Sequence, residues 1–282
     1  MSDTLLAPPR AALICPVRGC GAPLSWESTQ AVCAQGHPFD RGKSGYCNLL
    51  QVQDRRSNNP GDSKAAVQAR RRSLERGLGV ALRAALGERV GSWNLPPEAV
   101  ALDAGCGEGY YLAGLCAQFG FEGWGVDIST PAIDAAARAH PGARWVVANA
   151  DRTMPFADGT FHLITSITAR KNPAEFRRLL APGGHLLVVV AGEDDQKELR
   201  GALFGELPPS DRTGATAAAF ADLFELEEER AVSSLAVVDP QGLRDLLMGS
   251  YRGERFSAQE GLAGLTTLSV TLSYRLLSFR PR

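Results

Sequence analysis

Apolar and polar residues follow different patterns before and after about residue 50. The first segment shows no helical period and is rich in Cys, Gly, Pro and polar turns, which indicates a small loop-rich module. Residues 51–63 are polar and predict a linker. Apolar residues then recur at helical spacing from Lys64 to about Leu86, which predicts one connecting helix capped by Asp62 or Ser63.

From residue 100 onward, short apolar runs alternate with helical patterns. This order predicts right-handed βαβ units and a mostly parallel sheet with helices on both faces. Two later strand patterns, Phe224–Val238 and Thr266–Phe279, predict an antiparallel pair that closes the sheet. The predicted strands and helices of the parallel part are Val100–Asp103, Gly109–Gln118, Gly123–Asp127, Pro131–Ala139, Trp145–Ala148, Phe161–Ile167, Pro173–Leu180 and His185–Val190.

The predicted fold class is therefore a Rossmann-like α/β domain preceded by a small module. We expect a disordered lead over residues 1–12, the module over 13–50, the linker and connecting helix over 51–86, and the large domain over 87–282.

Composition adds few constraints on function. The chain has 282 residues, 44% of them hydrophobic, and a net charge of −1, so a sizeable core is possible and global charge does not indicate a nucleic-acid partner. The apolar run Leu186–Val190 is far shorter than the roughly 20 residues that cross a membrane. The N-terminus, with Asp3, Pro8 and Pro9, does not resemble a secretory signal. We expect a cytoplasmic protein without a membrane partner.

A glycine-rich run joins the first strand of the large domain to its first helix. It begins with Asp103 and continues through Gly105, Gly107 and Gly109, a spacing unlike the Gly-x-Gly-x-x-Gly of dinucleotide sites. A carboxylate at this position would repel a pyrophosphate. It suits a ligand with a cationic end, such as the amino group of a methionine moiety.

Two further strand ends complete a candidate cofactor site, because ligands of open parallel sheets bind at the carboxyl ends of the strands. Asp127 can accept hydrogen bonds from both ribose hydroxyls, and the segment Ala148–Asp151 can read an adenine edge. The three strand ends resemble the S-adenosylmethionine site of class I methyltransferases, as do Met154–Phe161 and Pro182–Gly184. The candidate contacts from this reasoning are Asp103, Gly105, Cys106, Gly107, Gly109, Asp127, Ala150 and Asp151.

The N-terminal module contains four potential metal ligands in two pairs. Cys15 and Cys20 have four residues between them, and Cys33 and His37 have three. Two such pairs can form the tetrahedral site that zinc prefers, and a metal would supply folding energy to a module too small for its own core. The alternative is a set of reduced thiols without a metal.

The segment between the module and the large domain carries a specific resemblance. Together with the Gly105–Tyr111 run, it resembles the 23S ribosomal RNA guanine-N1 methyltransferases of the RlmA (or RrmA) type, from Cys15 to about Gly184. The segments that carry the resemblance are His37–Asp40, Lys43–Tyr46, Asn48–Leu50, Pro60–Ser63 and Gln68–Arg71.

The resemblance implies a zinc module that helps to select an RNA hairpin, and methyl transfer from S-adenosylmethionine to guanine N1 of 23S ribosomal RNA. It implies zinc ligation by Cys15, Cys20, Cys33 and His37. A homodimer is a further possibility that the sequence leaves open. By position, it also implies cofactor contacts for Gly107, Glu108, Asp127 and Ile128.

The sequence departs from the family pattern at three places. The first cysteine pair is wider than usual. Ile167–Arg170 replaces the family's Ile-Tyr-Ala-Pro in a loop that lies over the substrate in class I enzymes. Asp195 stands where the family often has a histidine; we keep it as a candidate cofactor contact.

The catalytic residue is not assigned by the sequence. Guanine N1 must lose a proton, so a general base would help. Glu193, Asp194 and Asp195 are candidates, but we favour loop acids that cap a helix at Gln196. Tyr110 and Tyr111 could stack on an extruded base, although packing within the helix is the expected role of at least one.

Basic residues concentrate between positions 41 and 72, which fits contacts to RNA phosphates or, alternatively, a solvated linker. Two rival functions remain: a small-molecule methyltransferase with an inherited zinc module, which the altered 167–170 loop favours, and a non-enzymatic RNA-binding protein, which the complete cofactor motif disfavours. The candidate RNA contacts are Lys43, Arg55, Arg56, Arg70 and Arg71.

Overall fold

The computed structural model describes residues 10–27, 29–55, 57, 60–205, 211–250, 264 and 266–282. Most of the predicted lead over residues 1–12 lies outside these ranges. The N-terminal module contains a three-stranded antiparallel sheet in which the middle strand pairs with both others. Its strands are β1 (Leu24–Trp26), β2 (Gln30–Cys33) and β3 (Pro38–Asp40).

An eight-stranded sheet forms the centre of the molecule. Six neighbouring strands run parallel, and a long antiparallel hairpin closes one edge, as predicted. In spatial order the strands are β10 (Phe224–Val238), β11 (Leu268–Pro281), β9 (Leu180–Ala191), β8 (Phe161–Ile167), β5 (Val100–Ala104), β6 (Glu122–Asp127), β7 (Arg144–Val147) and β4 (Cys47–Asn48).

The order of the strands reverses beside β5, because β6 and β8 lie on its two sides. The carboxyl ends of these strands therefore open a crevice at the position where the sequence places the glycine-rich run. β9 begins at Leu180, earlier than the predicted His185, because the Pro182–Gly184 turn forms an irregularity within the strand pairing rather than a separate loop.

The edge strand β4 comes from the N-terminal segment, which the sequence pattern did not indicate. Cys47 and Asn48 pair with Val146 and Val147 of β7 in parallel register. A second attachment lies further along the chain, where the amide of Ile14 donates to the carbonyl of Pro155 at 2.9 Å. The N-terminal module is thus joined to the large domain by backbone hydrogen bonds as well as by the linker.

The predicted single helix from Lys64 to Leu86 is wrong. The structure has two helices, α1 (Lys64–Glu75) and α2 (Val80–Gly91), and Ser63 caps the first through its hydroxyl, 3.2 Å from the amide of Ala66. The break has a local cause, since Gly77 adopts a φ of 86°, a left-handed conformation that ends a helix.

The remaining helices lie on both faces of the large sheet and bury two extended apolar clusters against it. The largest fully buried side chains include Trp124, Phe156 and Phe161. No helix of the described ranges is long and apolar enough to cross a membrane. The helices are α3 (Tyr110–Phe119), α4 (Thr130–Ala139), α5 (Pro173–Leu179), α6 (Lys197–Phe204), α7 (Arg212–Phe220) and α8 (Pro240–Met248), and a short 3₁₀ helix spans Val52–Asp54.

Candidate active site and metal centre

Asp103 lies near the end of β5, and 2% of the residue is exposed. The hydroxyl of Thr165 on β8 donates to its Oδ1 at 2.8 Å. Burial raises the pKa of this carboxyl to about 7, and the nearby carboxylates Asp127 and Glu108 add to the shift. No cation of the described residues pairs with Asp103. A buried carboxylate in this state is well suited to hold a cationic group of a ligand.

The loop after β5 makes close backbone contacts that only glycine allows. Gly105 has a φ of 83°, and a Cβ added there would lie 2.4 Å from the Cβ of Ala169. The segment Ile167–Arg170, where the sequence departs from the family pattern, therefore packs directly against the glycine-rich loop. Its residue Thr168 has a φ of 51°, uncommon for a β-branched side chain.

Asp127 ends β6 and faces the same loop. Its Oδ2 accepts a hydrogen bond from the amide of Gly107 at 2.9 Å, and its Oδ1 accepts one from the amide of Ser129 at 2.8 Å. Burial raises the pKa of this carboxyl, while these two amides oppose the shift. Each oxygen retains a further lone pair, so the fixed carboxylate can still accept two hydroxyl hydrogen bonds. Ile128 follows it, partly buried.

Arg70 joins the linker helix to the glycine-rich loop. Its Nε donates to Glu108 at 2.8 Å and its Nη1 donates to Asp62 at 2.6 Å. Glu108 is 7% exposed, so this arginine neutralises a carboxylate inside the site. The sequence suggested Arg70 as an RNA contact; in the structure its guanidinium donates to two acids and lies beside Gly107.

The third strand end is held by side chains rather than by glycines. Asn149 donates to the carbonyl of Asp54 at 2.9 Å and accepts from the amide of Asp151 at 2.9 Å. Asp151 in turn lies 3.4 Å from Arg170. Ala150, partly buried, lies between them in the loop. This loop therefore contacts both the linker and the altered 167–170 segment.

Asp195 lies outside the glycine-rich loop, beside the closing hairpin. Its Oδ1 accepts a hydrogen bond from the amide of Ser273 on β11 at 3.0 Å, and burial raises its pKa. Glu193 and Asp194 are exposed. None of these three acids caps α6. The N-cap residue of this helix is Gln196, which has a φ of 52° and makes no side-chain hydrogen bond to the helix amides.

The two tyrosines that begin α3 pack edge to face, with ring centroids 5.1 Å apart. Tyr111 is partly buried against the core, and burial raises its pKa well above the usual range. Tyr110 lines a cavity of about 140 Å³ between α1, α3 and α4, with Glu108, Arg71 and His140 among the other lining residues. Both rings therefore contribute to packing around the start of α3.

The four potential ligands of the N-terminal module converge, with all ligand atoms within 4.8 Å of one another. Cys20 Sγ lies 3.8 Å from Cys33 Sγ, and His37 Nδ1 lies 3.5 Å from Cys15 Sγ and 3.4 Å from Cys33 Sγ. A tetrahedral zinc ion gives edges of about 3.8 Å between two sulfurs and about 3.5 Å between sulfur and imidazole nitrogen. The donor set and its spacing fit zinc.

The wide first cysteine pair does not prevent this convergence. The amide of Cys20 donates to the carbonyl of Val17 at 2.9 Å, and the amide of Cys15 donates to that of Ala22 at 2.8 Å. The extra residues thus form a turn with Gly19 at a φ of 79°, and both sulfurs still point inward to the same place.

Family models match both parts of the chain. The methyltransferase domain model matches residues 101–184, and the model described as the N-terminal region of RlmA, a zinc ribbon, matches residues 13–58. The 23S rRNA (guanine(748)-N(1))-methyltransferase of Streptomyces fradiae is 35% identical over 270 residues, which cover 93% of this chain and 95% of that protein. The chain belongs to the RlmA family of 23S rRNA guanine-N1 methyltransferases.

Other family members agree with this assignment. A protein of Bacillus subtilis strain 168, named as a proposed 23S rRNA guanine-N1 methyltransferase, is 35% identical over 187 residues, 63% of this chain and 64% of that protein. As a member of the family, the chain combines a zinc ribbon with an S-adenosylmethionine-dependent methyltransferase domain.

Basic residues are candidates for contacts to RNA, but several arginines on α1 and just after it are paired with acids. Arg71 pairs with Glu75, and both Arg72 and Arg76 pair with the buried Asp245 of α8. Lys43 and Arg55 are exposed. Arg56, the remaining candidate, lies outside the described residues.

Proposed function

We propose that this protein transfers the methyl group of S-adenosylmethionine to N1 of a guanine in a hairpin loop of 23S ribosomal RNA, in the cytoplasm. The observation that carries the proposal is the 35% identity to the Streptomyces fradiae guanine-N1 methyltransferase, because it extends over both the zinc ribbon and the catalytic domain. Of the three functions open at the sequence level, this one uses both parts of the chain.

The cofactor contacts follow from the crevice around β5. S-adenosylmethionine supplies a methyl group already activated on a sulfonium. Asp103 holds its amino group and Asp127 accepts its ribose hydroxyls, while Arg70 keeps Glu108 in place beside the loop. Asp195 contacts the cofactor from the hairpin side. The other proposed contacts are Gly105, Cys106, Gly107, Gly109, Ile128, Ala150 and Asp151.

The RNA side of the proposal combines the zinc ribbon with an extruded base. Cys15, Cys20, Cys33 and His37 hold the zinc ion. Because N1 lies on the Watson–Crick edge, the target guanine must be unpaired when it enters the crevice. The exposed Lys43 and Arg55, together with Arg56, contact phosphates. No residue is assigned as the general base.

Primer extension on 23S ribosomal RNA from cells with and without the gene tests the reaction. A methyl group on guanine N1 blocks base pairing, so reverse transcriptase should stop one nucleotide before the modified position only when the gene is present. The control is the same strain carrying an Asp103→Ala variant. A gene-independent pattern would reject guanine-N1 methylation of this RNA, and transfer of labelled methyl to small molecules instead would favour the rival enzyme class.

A further inference from the structure

The linker and the helix α1 that follows it contact all three strand ends of the proposed cofactor site. After β7, the side-chain amide of Asn149 donates to the carbonyl of Asp54 at 2.9 Å. After β6, the hydroxyl of Ser129 donates to the carbonyl of Asp62 at 2.7 Å. The third contact, with the glycine-rich loop after β5, is made by Arg70 of α1. The segment that connects the zinc ribbon to the large domain is therefore attached to the loops that would surround the cofactor.

A glycine permits a close approach between the linker and the loop after β6. Gly61 has a φ of 82°, and a Cβ added there would lie 2.7 Å from the Cβ of Ser129 and 2.9 Å from Cγ2 of Ile128. Glycine combines this left-handed conformation with so short an approach because it has no side chain. The linker backbone therefore lies directly against the loop that follows Asp127.

Asp62 takes part in a closed ring of contacts around Asp127. Its Oδ2 accepts from Nη1 of Arg70 at 2.6 Å, and Nε of Arg70 donates onward to Glu108 at 2.8 Å. Gly107, which precedes Glu108, donates its amide hydrogen to Oδ2 of Asp127 at 2.9 Å. Both hydrogen bonds of Arg70 join ionised groups, which makes them stronger than hydrogen bonds between neutral groups.

The ring closes on the other side of Asp127. Its Oδ1 accepts from the amide of Ser129 at 2.8 Å, and the hydroxyl of Ser129 donates back to the carbonyl of Asp62. Asp62 thus holds the glycine-rich loop through its side chain and the loop after β6 through its backbone. Both loops meet at Asp127, the carboxylate that we assign to the ribose hydroxyls.

We propose that Asp62 is a positioning residue of the cofactor site, which closes this ring and thereby fixes the Asp127 carboxylate for the ribose of S-adenosylmethionine. The inference rests on the proposed function, because that function assigns Asp127 to the ribose. A site whose groups are already in place binds more tightly, since less conformational freedom is lost when the ligand arrives. Asp62 acts through Arg70 and Ser129 and not on the methyl group. Its loss should therefore weaken cofactor binding and leave the transfer step unchanged.

Calorimetric titration of the full chain with S-adenosylhomocysteine, the cofactor without its methyl group, tests the side-chain half of the ring. We expect Asp62→Ala to raise the Kd about ten-fold, because a hydrogen bond between charged groups is lost. Asp62→Asn should raise it about three-fold, because the amide keeps the shape of the side chain but not its charge. The matched control is Glu75→Ala, which removes the acid of an exposed arginine pair on the same helix.

Gly61→Ala tests the backbone half of the ring. We expect it to raise the Kd for S-adenosylhomocysteine about ten-fold as well, because the added Cβ displaces the linker from Ile128 and Ser129. Gly120→Ala is its control, since Gly120 has a φ of 75° but a Cβ there meets nothing within 4 Å. With unmodified 23S ribosomal RNA, the KM for S-adenosylmethionine should rise in Asp62→Ala while kcat keeps its wild-type value.

Zinc content and the midpoint of thermal unfolding, measured on every variant, separate loss of cofactor affinity from loss of the fold. A wild-type Kd in Asp62→Ala and Asp62→Asn would overturn the proposal, whatever the effect of Gly61→Ala. A wild-type chain that bound no S-adenosylhomocysteine would overturn the proposed function and this inference with it. If the wild-type chain bound it but gave no guanine-N1 stop in cells, while the Asp62 variants still lost affinity, the proposed reaction would fail and the positioning role would stand.

Discussion

The zinc ribbon and the methyltransferase domain differ in what holds their strands together. The ribbon has strands of three or four residues, four converging ligand side chains, and only a few buried apolar residues such as Leu24 and Phe39, which join the core of the large domain. The large domain buries whole aromatic rings such as Trp124 and Phe161 between its sheet and helices. In the short ribbon a metal site supplies stability that the longer domain gains from its apolar core.

The two regions are nevertheless joined by direct contacts as well as by the linker. The ring centroids of Trp26 in the ribbon and Trp124 in the large domain lie 6.1 Å apart, and Glu122 accepts from the backbone amide of Arg10 at 2.9 and 3.0 Å. Both contacts fall on the first half of β6, whereas the cofactor site lies at the carboxyl end of that strand, where Asp127 stands. We therefore expect damage to the ribbon to leave the cofactor site largely intact.

Replacing a zinc ligand should give the largest effect and the sharpest separation of the two regions. In Cys33→Ser we expect loss of the metal and of amide protection over residues 13–50, because zinc binding supplies the folding energy of small metal modules. Cofactor affinity should change little. Mass spectrometry measures the bound zinc and hydrogen exchange measures the amide protection. Cys116→Ser is the control. Full zinc content in Cys33→Ser would contradict this division.

The reverse experiment damages the cofactor site and leaves the ribbon folded. A Cβ at Gly109 would lie 2.3 Å from the Trp145 ring, at a φ of 81°. We expect Gly109→Ala to destabilise the large domain by about 1–3 kcal/mol and to weaken S-adenosylmethionine binding strongly, with zinc content unchanged.

Gly142→Ala is the matched control for this substitution, since a Cβ there meets nothing within 4 Å. Thermal unfolding and calorimetric titration with the cofactor measure the two effects. Equal behaviour of the two alanine variants would show that the close approach to Trp145 is unimportant.

A smaller, pH-dependent effect should appear only in the cofactor site. The pKa of Asp103 is raised to about 7 in the folded protein, so the folded carboxyl binds its proton more tightly than the unfolded one. Its protonation therefore stabilises the ligand-free fold as the pH falls through about 7. The ionised form is the one that holds a cationic amino group.

S-adenosylmethionine binding should accordingly weaken by up to about ten-fold per pH unit below 7. Asp103→Asn should bind the cofactor weakly and without this dependence, while zinc content stays constant. Calorimetry between pH 5.5 and 7.5 provides the measurement, and a pH-independent wild-type affinity would rule out Asp103 as the amino-group ligand.

The predicted parts of the fold are those encoded by local pattern. The carboxyl ends of β5 and β6 were predicted because Asp103 and Asp127 directly follow apolar strand residues. The spacing of the two ligand pairs predicted the grouping of Cys15, Cys20, Cys33 and His37, and the family resemblance implied the same four ligands. Gly77 also indicates the helix break. The prediction of one continuous helix gave more weight to the apolar periodicity on both sides of this glycine.

The features that were missed depend on contacts between distant segments. The two residues of β4 are too few to show a strand pattern, and their place at the edge of the large sheet is fixed by pairing with β7. Similarly, one partner of Arg70, Glu108, lies 38 positions away, and the sequence alone gives a basic residue on a helix. Charge counts could not show that acids already surround it.

The contact of Arg70 with Asp62 and Glu108 has a consequence for exchanging parts between family members. A chimera joined at residue 63 would take Asp62 from one parent and Arg70 from the other, and a junction between residues 76 and 100 would divide Arg70 from Glu108. An ion network of three residues thus couples the linker helix to the catalytic domain. A ribbon transplanted from another family member needs its own α1 and a glycine-rich loop with an acid at the position of Glu108.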